Sequence, residues 1–176
     1  DAELQRLLGA AHANARELLG TLGYFAPTIS LALDAPPPER PHGLRTVVIT
    51  VEPGPQTHIA TADIGFADTA DGDPDARTRQ QQRVQRGWSL PPGQPFTQSA
   101  WDTAKADGLR QLQVRRYPTA HIATSRAEVD ADTHEARLSV TYDPGPVYRF
   151  GALKVEGSER YDPDGARRLA RLPTGA

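Results

Sequence analysis

Three groups of residues in this chain have types from which chemistry is commonly built. The first is Asp71-Gly72-Asp73-Pro74-Asp75, whose alternating carboxylates look like the start of a calcium loop. Such a loop needs Gly at its sixth position and Glu at its twelfth, and Ala76 and Gln82 stand there. Helix capping and solvation account for these aspartates instead. The second group is five histidines, His12, His42, His58, His121 and His134, with no metal-ligand spacing. His58 and His121 fall on expected strands and would either share a surface or be ordinary, partly packed histidines. The third is the cluster Arg77, Arg79, Arg83 and Arg86. It reads either as a solvated helix face or as a docking surface for an acidic partner or lipid headgroups. Trp88 beside it is an anchor or a core filler. No Gly-rich phosphate loop follows a strand, and no Ser sits in a nucleophile elbow. These patterns imply no enzyme, no metal and no cofactor.

The totals narrow the classes further. The chain has 176 residues, 38% hydrophobic and 24% charged, which suits small cores better than one large one. Gly and Pro, 15 and 16 in number, suggest many turns rather than a helical bundle. A net charge of −2 and a pI near 6.2 argue against a general nucleic-acid binder. Without cysteine there is no disulfide and no thiolate chemistry. Methionine is also absent, so a processed or excised segment is expected. No apolar run is long enough to span a membrane as a helix, and no signal peptide is present.

The elements that must position these residues occur in a repeating order. Glu52-Pro53-Gly54-Pro55 and Asp143-Pro144-Gly145-Pro146 lie ninety-one positions apart, each between two strand-like runs. Tyr24 and Tyr117 precede them at similar distances, so an array of like units is expected. Residues 1–22 carry a Leu stripe at helical spacing, with Gly23 placed to end the helix and Tyr24-Phe25 to pack back on it. Strands are expected over Thr28–Leu33 and Leu44–Glu52, paired antiparallel around the stiff loop Pro36-Pro37-Pro38 to Pro41-His42-Gly43. Thr57–Phe66 reads as a weaker strand with Ile59, Ala62 and Ile64 inward. Asp73-Pro74 opens a polar helix to about Arg86. Thr97 caps the next helix, from Gln98 to about Arg115, with Phe96 and Trp101 as a hydrophobic staple. Strands Ala120–Val129 and Glu135–Tyr142 follow, then a strand over Val147–Glu156 and a last helix opened by Asp162-Pro163. Pro53-Gly54 suits a type II turn. Each Pro-Gly-Pro closes one unit and opens the next within three residues, which should restrict rotation between units.

The one complete unit thus runs strand-helix-helix-strand-strand, and in this it resembles the POTRA (polypeptide-transport-associated) domain. Gly23-Tyr24-Phe25, Val51-Glu52-Pro53-Gly54-Pro55, Pro144-Gly145-Pro146-Val147-Tyr148-Arg149-Phe150-Gly151 and Val155-Glu156-Gly157-Ser158 are similar to the TamA family of the Omp85 superfamily. That family carries Gly before the aromatic that ends the second helix, where this chain has Arg116. Either the helix ends differently there, or a left-handed residue is strained by about 1–2 kcal/mol.

The resemblance implies an α+β fold of tandem POTRA domains, each a three-stranded mixed sheet with two helices on one face. Residues 1–56 would be the C-terminal part of a first domain, 57–146 a complete second, and 147–176 the N-terminal part of a third. It further implies a periplasmic part of a Gram-negative outer-membrane protein whose β-barrel lies outside this sequence. Its partners would be client outer-membrane proteins and an inner-membrane-anchored subunit of the translocation and assembly module, with no nucleic acid. The second strand of each unit would be a sheet edge, which makes Thr28, Ser30, Ala32, His121, Ile122, Thr124 and Arg126 candidates for partner contact, besides Arg77, Arg79 and Arg83. Pro53, Gly54, Pro55, Pro144, Gly145 and Pro146 would be the interdomain turns. The first unit would leave one apolar flank uncovered, to be closed by another copy, a swapped segment or residues outside the sequence. The rival reading is a stand-alone periplasmic module for a small ligand or cell-wall glycan, with Tyr24, Trp88, Trp101 and Tyr117 lining its pocket.

Overall fold

Helix and strand follow the residue pattern closely in the computed structural model, which describes residues 2–34, 46–68, 73–114, 116–149, 151–154, 156, 165 and 175. Helix α1 (Ala2–Thr21) ends as its glycine requires. Gly23, at φ +90°, donates to Gly20 O at 3.0 Å, and Tyr24 N–H donates to Leu19 O at 2.9 Å. These are the paired bonds of a Schellman cap. Strands β1 (Thr28–Leu33) and β2 (Val47–Glu52) pair antiparallel, with Ile29 opposite Val51, Leu31 opposite Ile49 and Leu33 opposite Val47. Partners across a ladder share a face, so these six form one apolar surface. That surface is open. Val47, Ile49 and Val51 on it are exposed, as are Val48 on the opposite face and Leu7, Leu18 and Leu22 on α1, which has no buried residue. The loop between β1 and β2 lies outside the described residues.

The second sheet is built from β3 (His58–Phe66), β4 (His121–Asp130) and β5 (Glu135–Asp143), in the order β3-β5-β4. β3 runs parallel to β5 because two helices, α2 (Pro74–Arg86) and α3 (Gln98–Gln113), carry the chain back across the sheet. β4 meets β5 antiparallel through a short turn. The clean alternation of β5 puts Ala136, Leu138, Val140 and Tyr142 inside. Trp101, Ala104 and Leu112 of α3, Val84 of α2 and Ile59 of β3 close the core over them. A bulge between Ile59 and Thr61 shifts the side-chain period, so Ala62 and Ile64 return to the face that Ile59 occupies.

Both helix starts follow their sequence. Asp73 Oδ1 accepts from Asp75 N at 3.0 Å, with Pro74 in the first turn, and Thr97 Oγ1 accepts from Ala100 N at 3.1 Å. Phe96 and Trp101 are both buried, completing the staple. The polar helix α2 is held by Val84 and by buried Gln80, whose Nε2 donates to Gln111 O at 2.7 Å. Burial pushes the Tyr142 phenol up to about 12, aided by nearby Asp107, and its Oη donates to Lys105 O at 2.9 Å.

Two expectations change. α3 stops at Gln113 rather than near Arg115, and Val114 stays in the right-handed region at φ −64°. Among the described residues only His134 is a non-Gly residue at positive φ, so Arg116 ends the segment without left-handed strain. The carbonyl of Leu112 accepts from Tyr117 N–H at 3.4 Å in place of a glycine cap. The strand expected over Val147–Glu156 is not seen among its described residues: 147–149, 151–154 and 156 have no regular structure. A strand needs a ladder partner, and no strand among the described residues pairs with these. His58 and His121 share the outer face of the sheet but stand far apart on it. His58 is registered with Glu135 and His121 with Asp143, at opposite ends of β5. The helix opened by Asp162-Pro163 lies outside the described residues.

Candidate partner-docking edge

A three-stranded sheet has two edges, and here they are treated differently. The outer edge of β3 is occupied at its start. Residues 93–96 fold against it: Ile59 N–H donates to Gln94 O at 2.9 Å, Gly93 N–H to Ile59 O at 2.8 Å, and Phe96 N–H to Thr57 O at 2.8 Å. Farther along, Gln85 Nε2 donates to Ile64 O at 3.2 Å. Along β4, among the described residues, no group bonds to the backbone on the side away from β5. Its unpaired N–H and C=O groups are a template for a further strand.

The register sorts the β4 side chains. Those opposite Leu138, Val140 and Tyr142 are Ala127, Ser125 and Ile122, on the helix side; those opposite Arg137, Ser139 and Thr141 are Glu128, Arg126 and Thr124, on the outer side. Ile122 and Val129 are partly buried, whereas Ser125 and Ala127 are exposed although they face the helix layer. The helices therefore cover β3 and β5 and stop short of the middle of β4. An added strand would find room on both faces there.

Charge marks the outer face of this strand. Arg126 Nη2 meets Glu128 Oε1 at 2.8 Å, and His121 Nε2 lies 3.8 Å from Asp143 Oδ2. Such charges keep an open edge from pairing with its own kind. At the far end Asp130 Oδ1 accepts from Asp132 N and Thr133 N, which holds its carboxyl below the ordinary range and fixes the turn into β5. Thr28, Ser30 and Ala32 lie on β1, which among the described residues pairs only with β2, and all three are exposed. The two proposed edges are thus on separate sheets.

The Pro-Gly-Pro turns repeat in detail. Gly54 and Gly145 sit at φ +73° and +63°, where L residues are disfavoured. A Cβ at Gly54 would press on Ala26 O, and one at Gly145 on Thr119 Oγ1. Two residues beyond each motif the chain is tied back. Thr57 N–H donates to Gly23 O at 2.8 Å, and Tyr148 N–H to Arg116 O at 3.1 Å. Gly23 and Arg116 precede the corresponding tyrosines, so the two bonds are equivalent. Around the first turn, Gln56 Nε2 also donates to Leu22 O at 3.1 Å, and Phe25 packs on Phe96 with ring centres 5.9 Å apart. Around the second, Asp143 Oδ1 accepts from Gly145 N at 2.8 Å and Pro144 is buried.

Of the arginine candidates, Arg79 and Arg83 line the furrow between α2 and α3. Arg77 does not: its guanidinium turns to Asp68 at 3.4 Å. The sequence did not single out Arg110, which α3 brings to the same furrow, because only tertiary packing joins the two helices. Trp88 and Trp101 contact edge-to-face at 6.0 Å, and Tyr117 is buried, so these aromatics serve the core rather than a ligand pocket. Among the described residues no group of three or more His, Asp or Glu converges on a metal position, and no helix is long and apolar enough to cross a membrane.

No protein-family model matches the chain. Among solved structures it is similar to the POTRA3-5 crystal structure of Haemophilus influenzae BamA, with a TM-score of 0.48 and 18% identity over 92% of this chain and 59% of that one. It is also similar to Haemophilus ducreyi BamA lacking POTRA domains 1–3, with a TM-score of 0.39 and 14% identity, covering 84% of this chain and 24% of that one. The chain thus spans less than two thirds of either. Likenesses this distant bear no weight alone. The α+β assignment rests on the order β-α-α-β-β and the strand order β3-β5-β4 within the chain itself.

Proposed function

We propose that this chain is a non-catalytic periplasmic scaffold from a TamA-like outer-membrane assembly factor of the Omp85 superfamily. Its units would be residues 1–56, 57–146 and 147–176, joined by the two Pro-Gly-Pro turns into a jointed arm. Client outer-membrane polypeptides, including autotransporters, and an inner-membrane-anchored partner subunit would be its ligands. The family motifs in the sequence and the β-α-α-β-β order support this reading. The observation that carries it is the open outer edge of β4, beside a β3 edge that the chain itself covers at its start. Strand addition there draws affinity from main-chain bonds and so tolerates many client sequences.

The test is a Pro substitution at Thr124. The ladder with β5 is already interrupted between Ile122 and Thr124, so Pro costs the fold least at this point. A benzophenone side chain placed at Arg126 is expected to crosslink clients or partner in cells. Thr124→Pro should reduce that crosslinking several-fold while the far-UV circular dichroism stays native. Native dichroism with undiminished crosslinking would sink the edge-docking reading.

A further inference from the structure

α2 and α3 lie side by side with a furrow between them. Its walls are fixed by the Gln80 to Gln111 bond and by Gly87, where a Cβ would run into the Gln111 side chain. The furrow is continuous: two adjoining hollows of about 530 and 480 Å³ share Arg83, Gly87 and Gln111. Four arginines line it, Arg79, Arg83, Arg86 and Arg110, against one carboxylate, Asp107. This is a local surplus of positive charge on a chain whose net charge is −2.

The compensation is uneven. Arg110 meets Asp107 at 2.9 Å and Arg79 meets Asp73 at 3.7 Å. Arg83 has no ion pair among the described residues, and Arg86 reaches only the amide Oε1 of Gln82, at 3.2 Å. At one end of the furrow Val114 is 76% exposed, an apolar side chain with nothing over it. Two unneutralised guanidiniums one helical turn apart, beside an exposed valine, define what would fit.

We propose that the α2–α3 furrow docks an acidic amphipathic helix of a partner polypeptide. Carboxylates on successive turns, spaced by the helical pitch of about 5.4 Å, meet Arg83 and Arg86. An apolar side chain of the same helix covers Val114. Guanidinium–carboxylate pairs in a furrow are shielded from water on two sides and can be bidentate, which strengthens them over exposed pairs. A membrane surface fits less well, because a flat headgroup layer touches the rims of a furrow and gains nothing from Val114. The site lies in the helix layer, apart from the β4 edge, so either proposal can fail without the other.

The probe is a fluorescein-labelled synthetic helix carrying Glu on successive turns beside a Leu stripe, titrated with the complete chain and read by anisotropy at low ionic strength. Its counterpart has Gln for every Glu. The Glu peptide is expected to bind and the Gln peptide to bind far more weakly. Arg83→Glu with Arg86→Glu should weaken binding by at least about tenfold, and Arg6→Glu on α1, an exposed position outside both proposed sites, should change nothing. Arg83 and Arg86 are exposed, so the double variant should fold. If it does not, Arg83→Gln with Arg86→Gln replaces it, with a smaller loss expected. Equal binding of the two peptides, or unchanged affinity in a folded double variant, would overturn the proposal. So would binding to phosphatidylglycerol vesicles without binding to the peptide.

Discussion

Gly23→Ala is expected to destabilise the chain by about 3 kcal/mol, whereas Gly93→Ala should cost only about 1 kcal/mol, the ordinary penalty for an L residue held left-handed. The two glycines have nearly the same backbone, φ +90° and +89°. They differ in surroundings. A Cβ at Gly93 meets nothing within 4 Å, whereas one at Gly23 collides with the carbonyl oxygen of Phe96, a backbone atom that cannot swing aside. The excess in Gly23→Ala therefore reports the seat between the end of α1 and the start of α3, where Phe25 also packs on Phe96. Urea unfolding of both variants measures it. Equal costs would mean that α1 does not rest on Phe96 in solution.

Gly108→Ala should also destabilise, by about 2 kcal/mol, although Ala is favoured over Gly inside a helix by about 1 kcal/mol. Gly108 is buried in α3 where the Tyr142 ring crosses, and an added Cβ would overlap Tyr142 Oη and lie 2.9 Å from Cζ. Gly9→Ala in α1, where a Cβ meets nothing within 4 Å, is the propensity control and should stabilise. Tyr142→Phe alone loses the bond to Lys105 O, at a cost of about 1 kcal/mol. Combined with Gly108→Ala it removes the colliding oxygen, so the double variant should be less damaged than the two single losses added together. Strict additivity in thermal unfolding would contradict the packing described.

Where the sequence was legible, a local rule was enough. Gly23, Asp73-Pro74, Thr97 with the Phe96–Trp101 staple, and the alternation of β5 each determine a short stretch without help from afar. The failures have a common cause. The sequence predicts a helix to about Arg115 and leaves open, at Arg116, a different helix end or a strained cap, because a single-residue comparison does not show how Val114 and Tyr117 end the helix. The Val147–Glu156 run has the pattern of a strand, yet a pattern supplies no ladder partner. For the candidate sites, β4 was identifiable as polar and second in its unit. That β3 is the partly covered edge depends on Gln85 and residues 93–96 folding against it, and nothing in β3 itself announces this. Likewise Arg79, Arg83 and Arg86 follow a helical stripe in the sequence, while Arg77 falls off it and Arg110 comes from another helix.

The central claim is that β4 presents an open edge for an extended polypeptide. Residue-resolved hydrogen exchange of the complete chain, with and without an extended peptide of alternating apolar and polar residues from an outer-membrane strand, tests it most directly. The account predicts slowed exchange at alternate amides between His121 and Asp130, with the amides of β3 unchanged. Unaltered exchange along β4 at saturating peptide, or slowing on β3 instead, would contradict it.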